Sequence, residues 1–235
     1  MKQNISIQVI TLFPDFIEQY TSFGIIARAI RNKILKFKAV NLRSFSFDKR
    51  GTVDDRPYGG GLGMVLRPDV VIKAIQKVRG RTKNTRVILM TPQGKPFSQA
   101  IARKLAQYDQ LVFVSGRYEG FDERVRKFVD EEISVGDYVL MGGELPALVV
   151  SEAVLRLISG VLGKDDSADA ESFSENILEY PQYTKPEVLE VKVGGQVKKK
   201  PVPKVLLSGH HLNIQKWRKE EALKRTKRRR PDLLK

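Results

Sequence analysis

The alternation of apolar and polar positions begins almost at the first residue. Ile5, Ile7, Val9, Thr11 and Phe13 alternate with Ser6 and Gln8, while Ile10 and Leu12 fill the opposite side. That period of two predicts a strand that becomes buried on both faces, and Pro14-Asp15 stops it. Gly24 then precedes a stripe of helical spacing, Ile25, Ile26, Ala29 and Ile30, continuing toward Ile34. Pro68-Asp69 open a second helical pattern carrying Val70, Val71, Ala74, Ile75 and Val78, which Gly80 ends. The run Val87–Met90 predicts a strand, and Ser98 is placed to cap a helix bearing Ile101, Ala102 and Leu105. A strand over Leu111–Val114 follows, then a helix from Asp122 with Val125, Phe128 and Val129. Tyr138 to Met141 is an apolar run long enough for one buried strand, and Ala147 to Ser159 reads as a helix closed by Gly160. Strand and helix alternate without an internal repeat, which predicts an α/β fold: a mostly parallel sheet with helices on both faces.

Glycines punctuate this pattern in one recurring place. Thr91-Pro92-Gln93-Gly94 follows the strand at Val87–Met90, and Ser115-Gly116-Arg117-Tyr118-Glu119-Gly120 follows the one at Leu111–Val114. Gly136 and Gly142-Gly143 bracket the run Tyr138 to Met141, and Pro146 sits in the first turn of the next helix, where a missing N–H costs nothing. Glycine lets another backbone or a ligand approach closely, because no Cβ intervenes. Three such loops after buried strands predict one ligand site at the carboxyl edge of the sheet, where open α/β sheets place their ligands. The familiar nucleotide signatures are absent. Gly94-Lys95 lacks the spacing and the Ser/Thr of a P-loop, and Gly59-Gly60-Gly61-Leu62-Gly63 neither matches G-x-G-x-x-G nor follows an apolar strand.

Charge changes the picture next. Among 235 residues, 42 are Lys or Arg and 27 Asp or Glu, a formal +15 that points to a polyanionic partner. No apolar run approaches a membrane span and the N-terminus is not a signal peptide, so nucleic acid is the better partner and no membrane is expected. The absence of cysteine excludes disulfides and thiolate metal sites and fits a cytoplasmic protein. Between Lys164 and Glu179 six acids face one lysine, the composition of a mobile linker into a second, smaller domain. Between Lys216 and Arg230 nine bases face two acids. This stretch reads as a helix with a poor apolar stripe, and Trp217 can stack on a base, so it predicts RNA contact. On residues alone a non-catalytic basic RNA-binding module would explain the charge, but not three pocket-type loops after consecutive strands.

The segments TPQGKPFSQ, SGRYEGFDERV and SVGDYVLMGGELPAL, with DDRPYGGGLGM upstream and YPQYTKP and LLSGHH downstream, resemble the bacterial tRNA (guanine-N1-)-methyltransferases. These belong to the SPOUT class of S-adenosylmethionine-dependent RNA methyltransferases, and the resemblance runs over nearly the whole chain. It implies a methyltransferase domain over 1–162 with a C-terminal trefoil knot, an acidic linker over 163–174 and a small basic, helical tRNA-binding domain over 175–235. It further implies a cytoplasmic homodimer that methylates N1 of the guanosine 3′-adjacent to the anticodon. Members of the family can also require Mg²⁺.

Carried over residue by residue, the resemblance gives the methyl donor to Thr91, Pro92, Gln93 and Gly94, to Gly116, Tyr118, Glu119 and Gly120, and to Ser134, Val135, Gly136, Asp137, Tyr138, Val139, Leu140, Gly142, Gly143 and Pro146. The family's general base is an aspartate just before Ser-Phe. Here Glu171-Ser172-Phe173 keeps the carboxylate one methylene longer, with Asp169 as runner-up. A free Glu, with a pKa of about 4.3, needs burial on closure to become a useful base. Arg156 matches the arginine that stabilises charge developing on the guanine. Asp55, Arg56, Tyr58 and Gly59 fall in the family's substrate loop and His210 and His211 in its RNA domain. Two adjacent histidines without cysteines do not make a zinc site. The chain departs from the family at Val191–Lys200, an extra basic stretch that a Gly-Gly hairpin would fit.

Overall fold

Strand β1 (Ile5–Thr11) shows why the period of two is so clean: Ile5, Ile7 and Val9 are buried on one side of the sheet, while Ile10 is buried on the other. The computed structural model describes residues 4–79, 84–162, 172–173 and 176–234. After β1, Pro14 starts a helix rather than only stopping a strand: α1 (Pro14–Thr21) has its proline in the first turn, where no helical N–H is needed. Helix α2 (Gly24–Arg31) leads into β2 (Leu35–Asn41), a strand the pattern did not announce. It pairs parallel to β1 from Ile5↔Leu35 to Thr11↔Asn41. As an edge strand it buries Leu35 but exposes Lys36 and Lys38, so its signal merges into the helical stripe before it.

Two short strands, β3 (Asp54–Asp55) and β4 (Val65–Leu66), pair antiparallel and close the loop 56–64. Then come α3 (Pro68–Arg79), β5 (Thr85–Pro96), α4 (Gln99–Leu105), β6 (Gln110–Ser115), a 3-10 turn (Glu123–Phe128), β7 (Glu131–Ser134) and α5 (Glu144–Leu155). Ser98 caps α4, its hydroxyl accepting from the Ile101 N–H. The segment after Asp122 is a 3-10 turn rather than the expected α-helix, and Asp122 caps it.

The sheet runs β2-β1-β6-β5-β7 and every pair in it is parallel. One core joins Ile7, Ile88 and Phe113 to residues of α1, α2, α4 and α5, and the other joins Ile10, Leu89 and Val112 to α3. Both faces are therefore covered, as the alternation required. Each fully buried side chain of the size of Phe113 contributes on the order of 2 kcal/mol.

The chain divides into two compact units, Met1–Asp165 and Asp166–Lys235. The second contains the hairpin β8 (Val188–Val193) and β9 (Gln196–Pro201), the short α6 (Lys204–Leu207), the long α7 (His211–Arg229) and a 3-10 turn, Pro231–Leu234. Helix α7 does lack an apolar stripe, and small or mixed contacts replace it. The buried Thr226 hydroxyl donates to Ala222 O (2.8 Å) and accepts from the Leu178 N–H (2.9 Å). Arg218 lies over the Tyr180 ring at 4.7 Å, and Trp217 packs near Tyr183.

Candidate functional site at the carboxyl edge of the sheet

Three parallel strands, β6, β5 and β7, lie side by side, and the chain leaving β6 and β7, together with an irregular stretch within β5, lines one cavity of about 320 Å³. Its wall gathers Thr91, Pro92 and Gln93 from the first segment and Gly116, Tyr118, Glu119 and Gly120 from the second. The third adds Ser134, Val135, Gly136, Tyr138, Val139, Leu140, Gly142, Gly143 and Pro146. Gly94 and Asp137 do not line it.

Two elements differ from the sequence reading, and the site explains both. Thr91–Gly94 is not a loop beyond a strand but an irregularity inside β5, whose pairing with β7 shifts register between Met90 and Lys95. The bulged residues thereby turn toward the cavity while the strand goes on. Gly94 is where β5 presses on its neighbour: a Cβ there would sit 2.5 Å from the Glu132 carbonyl carbon. Tyr138 to Met141 is not a strand either, since Val139 is 86% and Met141 91% exposed. The strand is β7, one segment earlier, and the apolar run lines the cavity instead of the core. The Ser134 hydroxyl donates to Gly136 O (2.9 Å), the Tyr138 N–H donates to the same carbonyl (3.0 Å), and the Tyr138 hydroxyl donates to Val135 O (3.2 Å).

What fixes these segments is a group that sequence reasoning passed over. Glu144, at the start of α5, is buried with its side chain 2% exposed. It accepts from the Thr11 hydroxyl at the end of β1 (2.7 Å) and from Arg117 Nε (3.0 Å). Arg117 in turn donates to the Met141 carbonyl (3.2 Å) and lies over the Phe13 ring at 4.4 Å. One carboxylate thus ties β1, the segment after β6 and the segment after β7. Gly142 leaves room for the guanidinium, since a Cβ would stand 2.6 Å from Arg117 Cζ. Gly143 lets the chain touch the end of β6: its N–H donates to Gly116 O (2.9 Å), and a Cβ would meet Ser115 Cα at 2.7 Å. Arg126 performs a similar task on the other wall, paired with Glu123 (2.8 Å) and Glu132 and donating to the Gln93 side chain. The only sequence signal for Glu144 was an acid at the head of a mostly apolar helix.

A second cavity of about 710 Å³ adjoins the first and shares Phe121 and Glu123 with it. Asp55, Arg56 and Tyr58 line it, and Gly59 does not. Two ion pairs edge it. Arg67 holds the Asp69 carboxyl, and Arg124 the Asp122 carboxyl, below the usual carboxylate range through side-chain hydrogen bonds. In the loop above it Gly59, Gly60, Gly61 and Gly63 all have positive φ, a conformation that L side chains adopt only with strain. The loop's return strand is stitched to the first cavity. The Glu119 N–H donates to Met64 O (3.0 Å) and the Leu66 N–H to Gly120 O (2.9 Å).

The remaining residues lie apart. Arg156 caps the end of α5 and is exposed, on the stripe with Leu145, Val149 and Glu152 rather than in either cavity. Glu171 and its runner-up Asp169 lie outside the described residues. His210 and His211 are exposed at the start of α7. Among the described residues no group of three or more His, Cys, Asp or Glu comes together to hold a metal, and no helix is long and apolar enough to cross a membrane.

A wholly parallel sheet covered on both faces, with glycine-bearing segments forming a cavity at its carboxyl edge, defines an α/β domain with its candidate site where open α/β sheets place ligands. The family follows from the sequence: the model described as tRNA (Guanine-1)-methyltransferase TrmD matches residues 5–235, and the chain belongs to that family. It is 46% identical over 98% of its length to the tRNA (guanine-N(1)-)-methyltransferase of Sulfurihydrogenibium sp., covering 87% of that protein. It is 50% identical to the proteins of the same name from Brevibacillus brevis and Syntrophomonas wolfei, over 97% and 98% of its length and 90% of each of theirs.

Proposed function

We propose that this chain transfers a methyl group from S-adenosylmethionine to N1 of the guanosine 3′-adjacent to the anticodon of tRNA. The observation that carries the reading is the cavity formed by the irregular stretch of β5 and the segments after β6 and β7, in a chain that belongs to this family over nearly its full length. Its walls fit the donor. Apolar side chains at Val135, Val139 and Leu140 suit a flat base, the chain beside them is tied by the hydrogen bonds at Ser134, Gly136 and Tyr138, and Glu119 sets a carboxylate where a sulfonium can be balanced. When bound, S-adenosylmethionine supplies an electrophilic methyl group, and its sulfur keeps the electron pair of the broken bond.

The chain's own residues then have two tasks. Guanine N1 carries a proton at neutral pH, and the Glu171 carboxylate takes it; such a base contributes roughly 10²–10⁴ in rate. Arg156 stabilises the negative charge that the departing proton leaves on the ring. Arg156 stands away from the cavity on an exposed stripe of α5 with Leu145 and Val149, and Phe16, Tyr20 and Phe23 are exposed on and beside α1. The Tyr20 hydroxyl donates a hydrogen bond to Glu152, which pushes its pKa up to about 12 and joins α1 to that stripe. An apolar face of this kind marks an association surface. A second copy docked there completes the site, so the active form is a homodimer with Arg156 and the cavity meeting groups of the partner. The domain over 1–162 holds the donor in a knotted chain and the basic domain over 175–235 holds tRNA, through the linker 163–174.

Calorimetric titration with S-adenosylmethionine, followed by methylation of a tRNA transcript and mapping of the modified atom, tests the reading. Binding, and a methyl group on guanine N1, are expected. Glu171→Gln should lower the rate by at least a hundredfold and Asp169→Asn by little. A protein with no donor affinity would be an RNA-binding module only, and full activity in Glu171→Gln would remove the assigned base.

A further inference from the structure

The hairpin β8–β9 lines neither cavity, and its two sides differ in one respect: only one of them carries an acid, which neutralises a lysine there. Among the described residues, strands Val188–Val193 and Gln196–Pro201 pair only with each other, and Gly194 and Gly195 make the turn with φ of +60° and +79°. Every residue of the two strands is exposed except Val191, which is half-buried. A lone two-stranded ribbon is marginal in water, so one side of it gains by being covered.

Residues paired across an antiparallel ladder point to the same side. One side therefore carries Val188, Glu190 and Lys192 opposite Pro201, Lys199 and Val197, and there the Lys199 ammonium lies 3.0 Å from the Glu190 carboxylate. The other side carries Leu189, Val191 and Val193 opposite Lys200, Lys198 and Gln196, and holds no acid. Lys198 and Lys200 stand two residues apart on one strand, about 7 Å along it. A covering partner must offer apolar surface to the Leu and Val stripe and anionic groups spaced along a line to the two ammonium groups. A polynucleotide strand, with its sugars and regularly spaced phosphates, does both. The same compact unit carries the basic helix α7.

We propose that the Lys198/Lys200 side of the hairpin is an arm that grips the phosphate backbone of bound tRNA, each lysine meeting one phosphate. This rests on the reading of the chain as a tRNA-modifying enzyme. The full-length double variant Lys198→Gln/Lys200→Gln is compared with Lys192→Gln/Lys199→Gln on the opposite side, using an unmodified tRNA transcript. Loss of two phosphate contacts should raise the KM for tRNA about tenfold and make the slope of log K against log salt shallower by roughly 1.5. The kcat and the affinity for S-adenosylmethionine should stay at wild-type values. The opposite-side variant should shift the KM by less than about twofold, since Lys199 is already paired. Wild-type KM and salt slope in the Lys198/Lys200 variant would overturn the proposal, and so would equal losses in both variants, which would mean diffuse charge without a gripping side. Sedimentation with phosphatidylserine vesicles gives a third reading: vesicle binding lost in the Lys198/Lys200 variant while its tRNA affinity holds would make the arm a membrane contact and overturn the proposal. Should the wild-type protein bind tRNA yet never methylate it, the enzymatic reading fails, and the salt slope of equilibrium tRNA binding still decides the arm.

Discussion

Removing the Glu144 carboxylate strips two charge-assisted hydrogen bonds from a side chain that is 2% exposed, at the junction of three segments. Hydrogen bonds to charged groups contribute about 1.5–3 kcal/mol each. The Arg117 side chain is 27% exposed, so water recovers part of its loss when Glu144 becomes Ala. The expected cost is therefore about 3–4 kcal/mol, near the low end for breaking a buried pair by deleting one partner. For a chain of this size each kcal/mol moves the Tm by about 2–4 °C, so a fall of roughly 6–15 °C is expected. Glu144→Gln is gentler. Its amide oxygen can still accept from Arg117 and its NH₂ can donate to the Thr11 hydroxyl, so only the charge is lost, about 1–1.5 kcal/mol.

The cavity feels the same change. Without its carboxylate, Arg117 no longer fixes the Met141 carbonyl, and a ligand must order the segments at 116–120 and 136–143 on binding. If that ordering costs only about 1.4 kcal/mol, affinity falls tenfold. Urea unfolding and calorimetric titration with S-adenosylmethionine should rank wild type, Gln and Ala in that order in both measurements. An Ala variant that loses stability but binds the donor at wild-type affinity would refute the claim that this carboxylate holds the cavity. One that keeps its stability would refute the burial argument itself.

Gly94→Ala should destabilise by about 1–3 kcal/mol in urea unfolding, because its Cβ would press on the Glu132 carbonyl carbon and neither backbone can yield cheaply. A fully stable variant would show that β5 and β7 can part there. Burial alone would raise the Glu131 carboxyl, but its hydrogen bonds from Lys104 (2.6 Å) and Arg86 Nε (2.9 Å) outweigh that and leave it below its usual value of 4.5. Its folded pKa is depressed, so its contribution is complete above about pH 4.5 and is lost as the pH falls through the folded value. The stability gap between wild type and Glu131→Gln should accordingly narrow on acidification from pH 7 to pH 3, and a gap independent of pH would contradict the assignment.

The sheet was legible because burial on both faces leaves long apolar runs. Val87–Met90 and Leu111–Val114 could be little else than interior strands. Edge position hid β2, whose lysines face water, and an apolar run that lines a cavity imitated a core strand at Tyr138–Met141. The glycines that form the cavity were legible because close approach and positive φ leave few alternatives to glycine. Arg117 and Glu144 were not, because the partners of the Glu144 carboxylate lie 27 and 133 residues away and nothing local marks them. Glu171 and Arg156 rested on family resemblance throughout, since a carboxylate in an acidic stretch and an arginine on an exposed helix face carry no signal of their own.

The two cavities have a wall in common, and the segment from Glu119 to Asp122 is its masonry, bonded on its far side to the return of the loop 56–64. Occupants of the two chambers therefore cannot be strangers. If the proposed donor fills the first chamber and a stretch of RNA the second, whatever stiffens that partition from one side prepares it for the other, and linkage then makes the favour mutual: a donor that sharpens the grip on RNA would itself be held harder once RNA is in place.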